Sequence, residues 1–180
     1  LAECCAERAS LTGDASNLVL AVGILRRAVE LGILRFLAIG LAGAIELTAR
    51  ELDHANRVAE ADSLRQALVE SADYFYGLGQ NLPAHEVIYE QSIVAPLVEL
   101  FSSAHRISGE QRFADAVAER LPWLLAFGGP QPHARLHGIA IRHWDGYWFG
   151  IRRQWGDIFP HHWSALTATA LARLPEQLKT

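Results

Sequence analysis

The sequence predicts an all-α fold built from helical hairpins, on three observations. Apolar residues recur at helical spacing, as at Leu18, Val22, Leu25 and Val29. Tight turns of Gly, Asn, Asp and Ser character recur at 11–14, 54–57 and 107–110, each interval long enough for two helices. The remaining connections are longer and rich in Gly, Pro, His and aromatic residues, unlike the Ala, Leu and Glu of the helical stretches.

Taken in order, Leu1–Ser10 reads as a first helix, and Leu-Thr-Gly-Asp at 11–14 turns the chain into a second over Asp14–Leu31. A third covers Leu34–Asp53, and His-Ala-Asn-Arg at 54–57 leads into a fourth over Arg57–Tyr76. The next covers Ile93–Arg106. With Ser92 as its N-cap, Pro96 falls in the first turn, where amides have no helical partner. Ile-Ser-Gly-Glu at 107–110, with Gly109 as a left-handed stop, then gives way to a helix over Gln111–Phe127. Within the connection 128–160, Ile139–Trp144 and Tyr147–Arg152 flank Asp145–Gly146, a signal for a small β-hairpin with a two-residue type I′ turn. Helix resumes over Ser164–Leu174. Short turns at one end and long connections at the other make the architecture polarised, and the working face is expected at the long-connection end.

The 180 residues, 51% hydrophobic and 20% charged, suit a single globular domain over 1–180. A net charge of -4 and no basic run leave no footprint for nucleic acid. The apolar stretches 15–25 and 36–45 are too short to span a bilayer and read as buried helix faces, so no membrane partner is expected. No secretory leader pattern opens the chain, which favours a cytoplasmic setting. Its opening AECCAERA reads as helix interior and suggests a piece of a longer protein. Cys4 and Cys5, as neighbours, bridge only with strain, and read as two buried thiols on a helix.

Chemistry concentrates in His137–Trp163, HGIAIRHWDGYWFGIRRQWGDIFPHHW, which holds four of the five Trp and four of the eight His. Such a mixture suits a pocket wall where ring faces meet a polar ligand. No metal or cofactor is expected. HExxH is absent, and His133 follows Gly-Gly-Pro-Gln-Pro, poor ground for a helical ligand pair with His137. G-x-S-x-G, phosphate-loop and dinucleotide fingerprints are also missing.

Two stretches, HEVIYEQSIVAP and RFADAVAERLPWLLAFGGPQPHARLHGIAIRHWDGYWFGIRRQWGDIFPHHWSALT, resemble the bacterial six-hairpin glycosidases over residues 70–170. The chain departs from that family pattern at Ile151, where the family has Lys, and at His162, where it has Tyr. The resemblance implies part of an (α/α)6 toroid, of which this chain would be a C-terminal-half fragment. It also implies a sugar site at the long-connection end and an oligosaccharide or glycoside substrate. Self-association through exposed toroid edges is a further expectation.

Glycoside hydrolysis uses two carboxyl groups across the scissile bond. Glu90 and Asp157 are the candidate pair, because each precedes a helix at the long-connection end. The aromatic neighbours Trp155, Phe159 and Trp163 would keep Asp157 protonated as an acid. Capping explains Glu90 equally well, pairing with Arg152 or Arg153 explains Asp157, and Glu86 ranks below them as a rim carboxylate. Trp144, Trp148, Trp155 and Trp163 are candidates for stacking on sugar rings. His143, His161 and His162 are candidates for bonding hydroxyls, and Asp145 joins them unless it serves only its turn. Arg142, Arg152 and Arg153 suit a sugar carboxylate, and pairing with Asp145 and Asp157 explains them equally well. Two other readings stand beside hydrolysis. One is a polysaccharide lyase, in which His143 or Tyr147 takes a proton from a uronate. The other is a non-catalytic helical-repeat interaction module.

Overall fold

The computed structural model describes residues 1–32, 41–79, 91–126, 141–142, 148–149 and 164–178. Among them are seven α-helices: α1 (Ala2–Thr12), α2 (Ala15–Glu30), α3 (Leu41–His54), α4 (Val58–Leu78), α5 (Gln91–Ser108), α6 (Gln111–Ala126) and α7 (Ser164–Ala172). A two-stranded hairpin, β1 (Ile141–Arg142) and β2 (Trp148–Phe149), lies between α6 and α7 in the chain, and a short 3-10 turn, Glu176–Leu178, follows α7. The all-α class, the helical hairpins and the small β-hairpin are therefore as expected. No described helix is long and apolar enough to cross a membrane.

The short turns form where local chemistry dictates them. Asp14 caps α2, its Oδ1 accepting from the Ser16 amide at 2.9 Å and the Ser16 hydroxyl at 2.7 Å. Asn56 takes a left-handed conformation (φ 56°), tolerable for Asn, and lets the Arg57 amide reach back to the Leu52 carbonyl at 2.8 Å. Gly109 (φ 73°) ends α5, its amide donating to the His105 carbonyl at 2.8 Å.

Each pair α1–α2, α3–α4 and α5–α6 packs as an antiparallel hairpin. The odd-numbered helices also pack on one another in the row α1, α3, α5, α7, whereas α2, α4 and α6 barely touch each other. A two-layered row whose inner members are close and outer members splayed is curved. The helical hairpins are arranged as in an (α/α) toroid, with odd helices on the concave side. The seam between the layers is apolar, with Leu25, Ile45, Leu52, Leu68, Val98, Phe101, Phe113 and Leu124 fully buried. Burial of each such side chain contributes about 1.5–3 kcal/mol. Phe101 and Phe113 stack with centroids 6.0 Å apart, and Tyr76 meets both edge-on.

Four local expectations are corrected. Helix α5 begins at Gln91, so Ser92 lies inside it and Pro96 falls in its second turn, leaving the Ser92 carbonyl without its usual amide donor. A two-residue turn at Asp145–Gly146 would set Arg142 opposite Phe149. The observed partners are Arg142 with Trp148 and Ile141 with Phe149, a register shifted by one residue. Only Cys5 is buried and Cys4 is exposed, since neighbours on a helix point about 100° apart. On α2, Leu18, Val22 and Leu25 are buried, but Val29 near the helix end is 39% exposed.

Candidate functional site

The polarity of the molecule follows from helix directions. Just beyond α7, the Arg173 carbonyl accepts from the Arg106 guanidinium, and Gln177 Nε2 lies 2.9 Å from His105 Nε2. Arg173 also pairs with Glu99. The end of α7 therefore lies beside the second half of α5, and the two helices run parallel with their starts, Gln91 and Ser164, at one end. Helix α6, antiparallel to α5, finishes there too. The Arg120 guanidinium of α6 reaches the Gly79 carbonyl at the end of α4 at 3.5 Å, which brings α4 to the same end. The connections 80–90 and 127–163 thus leave and return at a common rim.

Of the candidate site residues, Arg142 and Trp148 are brought together as directly paired positions of the β-hairpin. Glu90, His143, Trp144, Asp145, Arg152, Trp155, Asp157, His161, His162 and Trp163 lie outside the described residues, as do Glu86, His133, His137, Tyr147 and Arg153. Glu90 directly precedes the first residue of α5, and Asp157 is seven positions before the first residue of α7.

Below that rim the concave face carries a charged network. On α3, Ile45, Thr48, Ala49 and Leu52 are buried, while Glu46, Leu47 and Arg50 take the opposite, less buried side. Glu46 accepts from Ser103 Oγ at 2.8 Å and from Arg106 Nε and Nη2 at 2.9 and 2.8 Å. Arg173 pairs with buried Glu99 on α5 and with Glu3 on α1, the latter at 2.7 Å. A cavity of about 450 Å³ opens beside Glu3, Glu7, Glu46, Arg50 and Arg173, and one of about 550 Å³ beside His105, Arg106, Arg173 and Glu176. The paired guanidinium and carboxylate groups hold helices together. Among the described residues, no cluster of three or more His, Cys, Asp or Glu could hold a metal ion.

One side chain at the rim escaped the sequence reading. Arg120 occupies a core position of α6, in the helical series Phe113, Val117, Arg120, Leu124, and is only 5% exposed. Its guanidinium lies 5.2 Å from the Phe101 ring centre and donates to the Ala116 carbonyl at 3.0 Å. Burial pushes its pKa below the ordinary arginine value, with Glu119 opposing that trend. The signal for it was in the sequence, as a charged residue in an apolar helical stripe; so was Glu99, within IVAPLVELF.

The chain matches no protein-family model and no curated protein. Among solved structures, a polysaccharide lyase superposes on it with a TM-score of 0.75 at 37% sequence identity. That match covers 96% of this chain and 25% of the lyase, so the chain spans about a quarter of the length of that protein. The helical-hairpin architecture implied by the glycosidase resemblance is present, and the solved relative is of the lyase kind.

Proposed function

We propose that the chain is a sector of a larger (α/α) toroid and contributes part of the sugar site of a polysaccharide-cleaving enzyme, by β-elimination. The observation that carries this reading is the likeness to a polysaccharide lyase along nearly the whole chain. Helix directions support it, since the connection richest in Trp, His and Arg departs from the common rim. In an elimination, a base removes the proton next to a uronate carboxylate, the electrons form a double bond, and the glycosidic oxygen leaves and takes up a proton. His143 and Tyr147, which directly follow β1 and precede β2, are the proposed base candidates. Arg142 and Arg152 would neutralise the carboxylate and make that proton more acidic. Trp144, Trp148, Trp155 and Trp163 would support the sugar rings, with Asp145, His161 and His162 bonding hydroxyls.

The second reading is hydrolysis by Glu90 and Asp157. It is favoured by their places ahead of α5 and α7, two parallel neighbours that begin at one end. One assay separates the readings. The longest natural chain containing these residues is incubated with uronic-acid polysaccharides and aryl glycosides, and ultraviolet absorbance is followed alongside new reducing ends. Elimination yields both signals, and His143→Ala or Tyr147→Phe abolishes them. Hydrolysis yields reducing ends without absorbance and is lost in Glu90→Gln or Asp157→Asn. If neither signal arises on any substrate, the carbohydrate-cleaving reading falls and the interaction-module reading takes its place.

A further inference from the structure

Helix α7 is nine residues long, too short to persist on its own, so its position depends on what holds it. Of the described helices, α5 is the one it packs against extensively. The residue after α7, Arg173, extends one guanidinium to three other helices. Nη1 meets Glu99 of α5 and Nη2 meets Glu3 of α1. Between them the guanidinium lies against α3 at Gly43, where an added Cβ would collide with Nη1, Cζ and Nη2. The Arg173 carbonyl is held separately by Arg106, itself fixed by Glu46 and Ser103. Any side chain at position 43 would occupy the space the guanidinium needs.

This is more than a surface ion pair. The Glu99 side chain is 7% exposed, so its charge requires a partner, and a planar fork presents a separate nitrogen to each carboxylate at a fixed spacing that the single nitrogen of an ammonium does not reproduce. The pairing also sets a height. Glu99 lies eight residues into α5 from Gln91, and Arg173 nine beyond Ser164, rises of about 12 and 13.5 Å. Joining them therefore fixes the height of α7 along α5.

We propose that Arg173, seated over Gly43 and paired with Glu99 and Glu3, is a positioning residue. It locks the height of α7 against α5 and so fixes where the connection that carries the proposed site residues rejoins the fold at Ser164. The catalytic part of this proposal rests on the carbohydrate-cleaving reading above. The mechanical part is tested without it, by a double-mutant cycle read by amide hydrogen exchange. Gly43→Ala speeds exchange within 164–172 by at least about ten-fold in the presence of Arg173 and leaves the rate unchanged in an Arg173→Ala background. An equal effect of Gly43→Ala in both backgrounds, or unaltered exchange of α7 in Arg173→Ala, overturns the clamp. In the turnover assay, Arg173→Lys lowers kcat about 100-fold with KM within about two-fold of the parent, the pattern of misplaced groups. Full turnover with α7 loosened removes the positional role alone, whereas an inactive parent protein removes the functional reading and leaves the exchange cycle to judge the clamp.

Discussion

Helices α1 and α5 belong to the same inner layer but are packed in opposite ways. From Val94 to Ala104 every residue of α5 is buried, with α3, α4, α6 and α7 around it. On α1 the buried side chains are the small ones, Ala2, Cys5, Ala6 and Ala9, while Leu11 and the N-cap residue Leu1 are exposed. Its partner α2 likewise leaves Val19 and Leu20 more than half exposed. A helix buried on all sides has no solvent face for polar groups, so Glu99, Ser102 and Ser103 of α5 are buried too, and Glu99 and Ser103 are tied into the charged network. The central helix thus carries both the apolar mass of the fold and the polar ties of its concave face. Helix α1 contributes one-sided packing by small residues and a single carboxylate, Glu3.

Two perturbations bear on that contrast. Phe101→Ala empties the aromatic stack and costs about 3–5 kcal/mol. Ala6→Gly, at an equally buried position of α1, costs about 1 kcal/mol, mostly in backbone freedom. Chemical denaturation of both variants checks the ratio, and equal costs would mean that α1 and α5 share the core evenly. The smallest effect is at the turn joining α1 to α2. The hydroxyl and amide of Ser16 hold the Asp14 carboxyl below the usual carboxylate range. With the folded value depressed, its stabilisation is present above the unfolded value of about 4 and fades as pH falls through the folded one. Protection of amides at the start of α2, measured against their intrinsic exchange rates, should therefore fall at acid pH, and in Asp14→Ala it should be equally low at pH 7. An acid response that persists in Asp14→Ala would place its origin elsewhere.

Much of the scaffold was legible because its determinants are local. Asp14, Asn56 and Gly109 announce their turns within four residues, and helical periodicity fixes which faces are apolar. The one-residue shift of the β-hairpin was not legible, since strand register is set by what the strands pack on as well as by the turn. Nor was the start of α5, where a Pro in the second turn is tolerated within a buried helix. The concave network was hidden for another reason: Glu46 meets Ser103 and Arg173 meets Glu3 across 57 and 170 residues of sequence. No local pattern encodes such pairs. For the site, chain position yielded Glu90, Asp157 and the Trp, His and Arg of 137–163 as candidates, and it is helix direction that bears on their common rim.

That rim depends on α5 and α7 running the same way, which spin-label distances test directly. In a chain with Cys4→Ser and Cys5→Ala, labels are placed at Gln91→Cys with Ser164→Cys, and in a second sample at Ser108→Cys with Ser164→Cys. Parallel neighbours lie about 10 Å apart, and α5 is about 27 Å long. The expected result is a short first distance and a second longer by about 15–20 Å. If Ser164 proves nearer to Ser108 than to Gln91, the two helices run in opposite directions, and the connections that begin and end on them do not share a face.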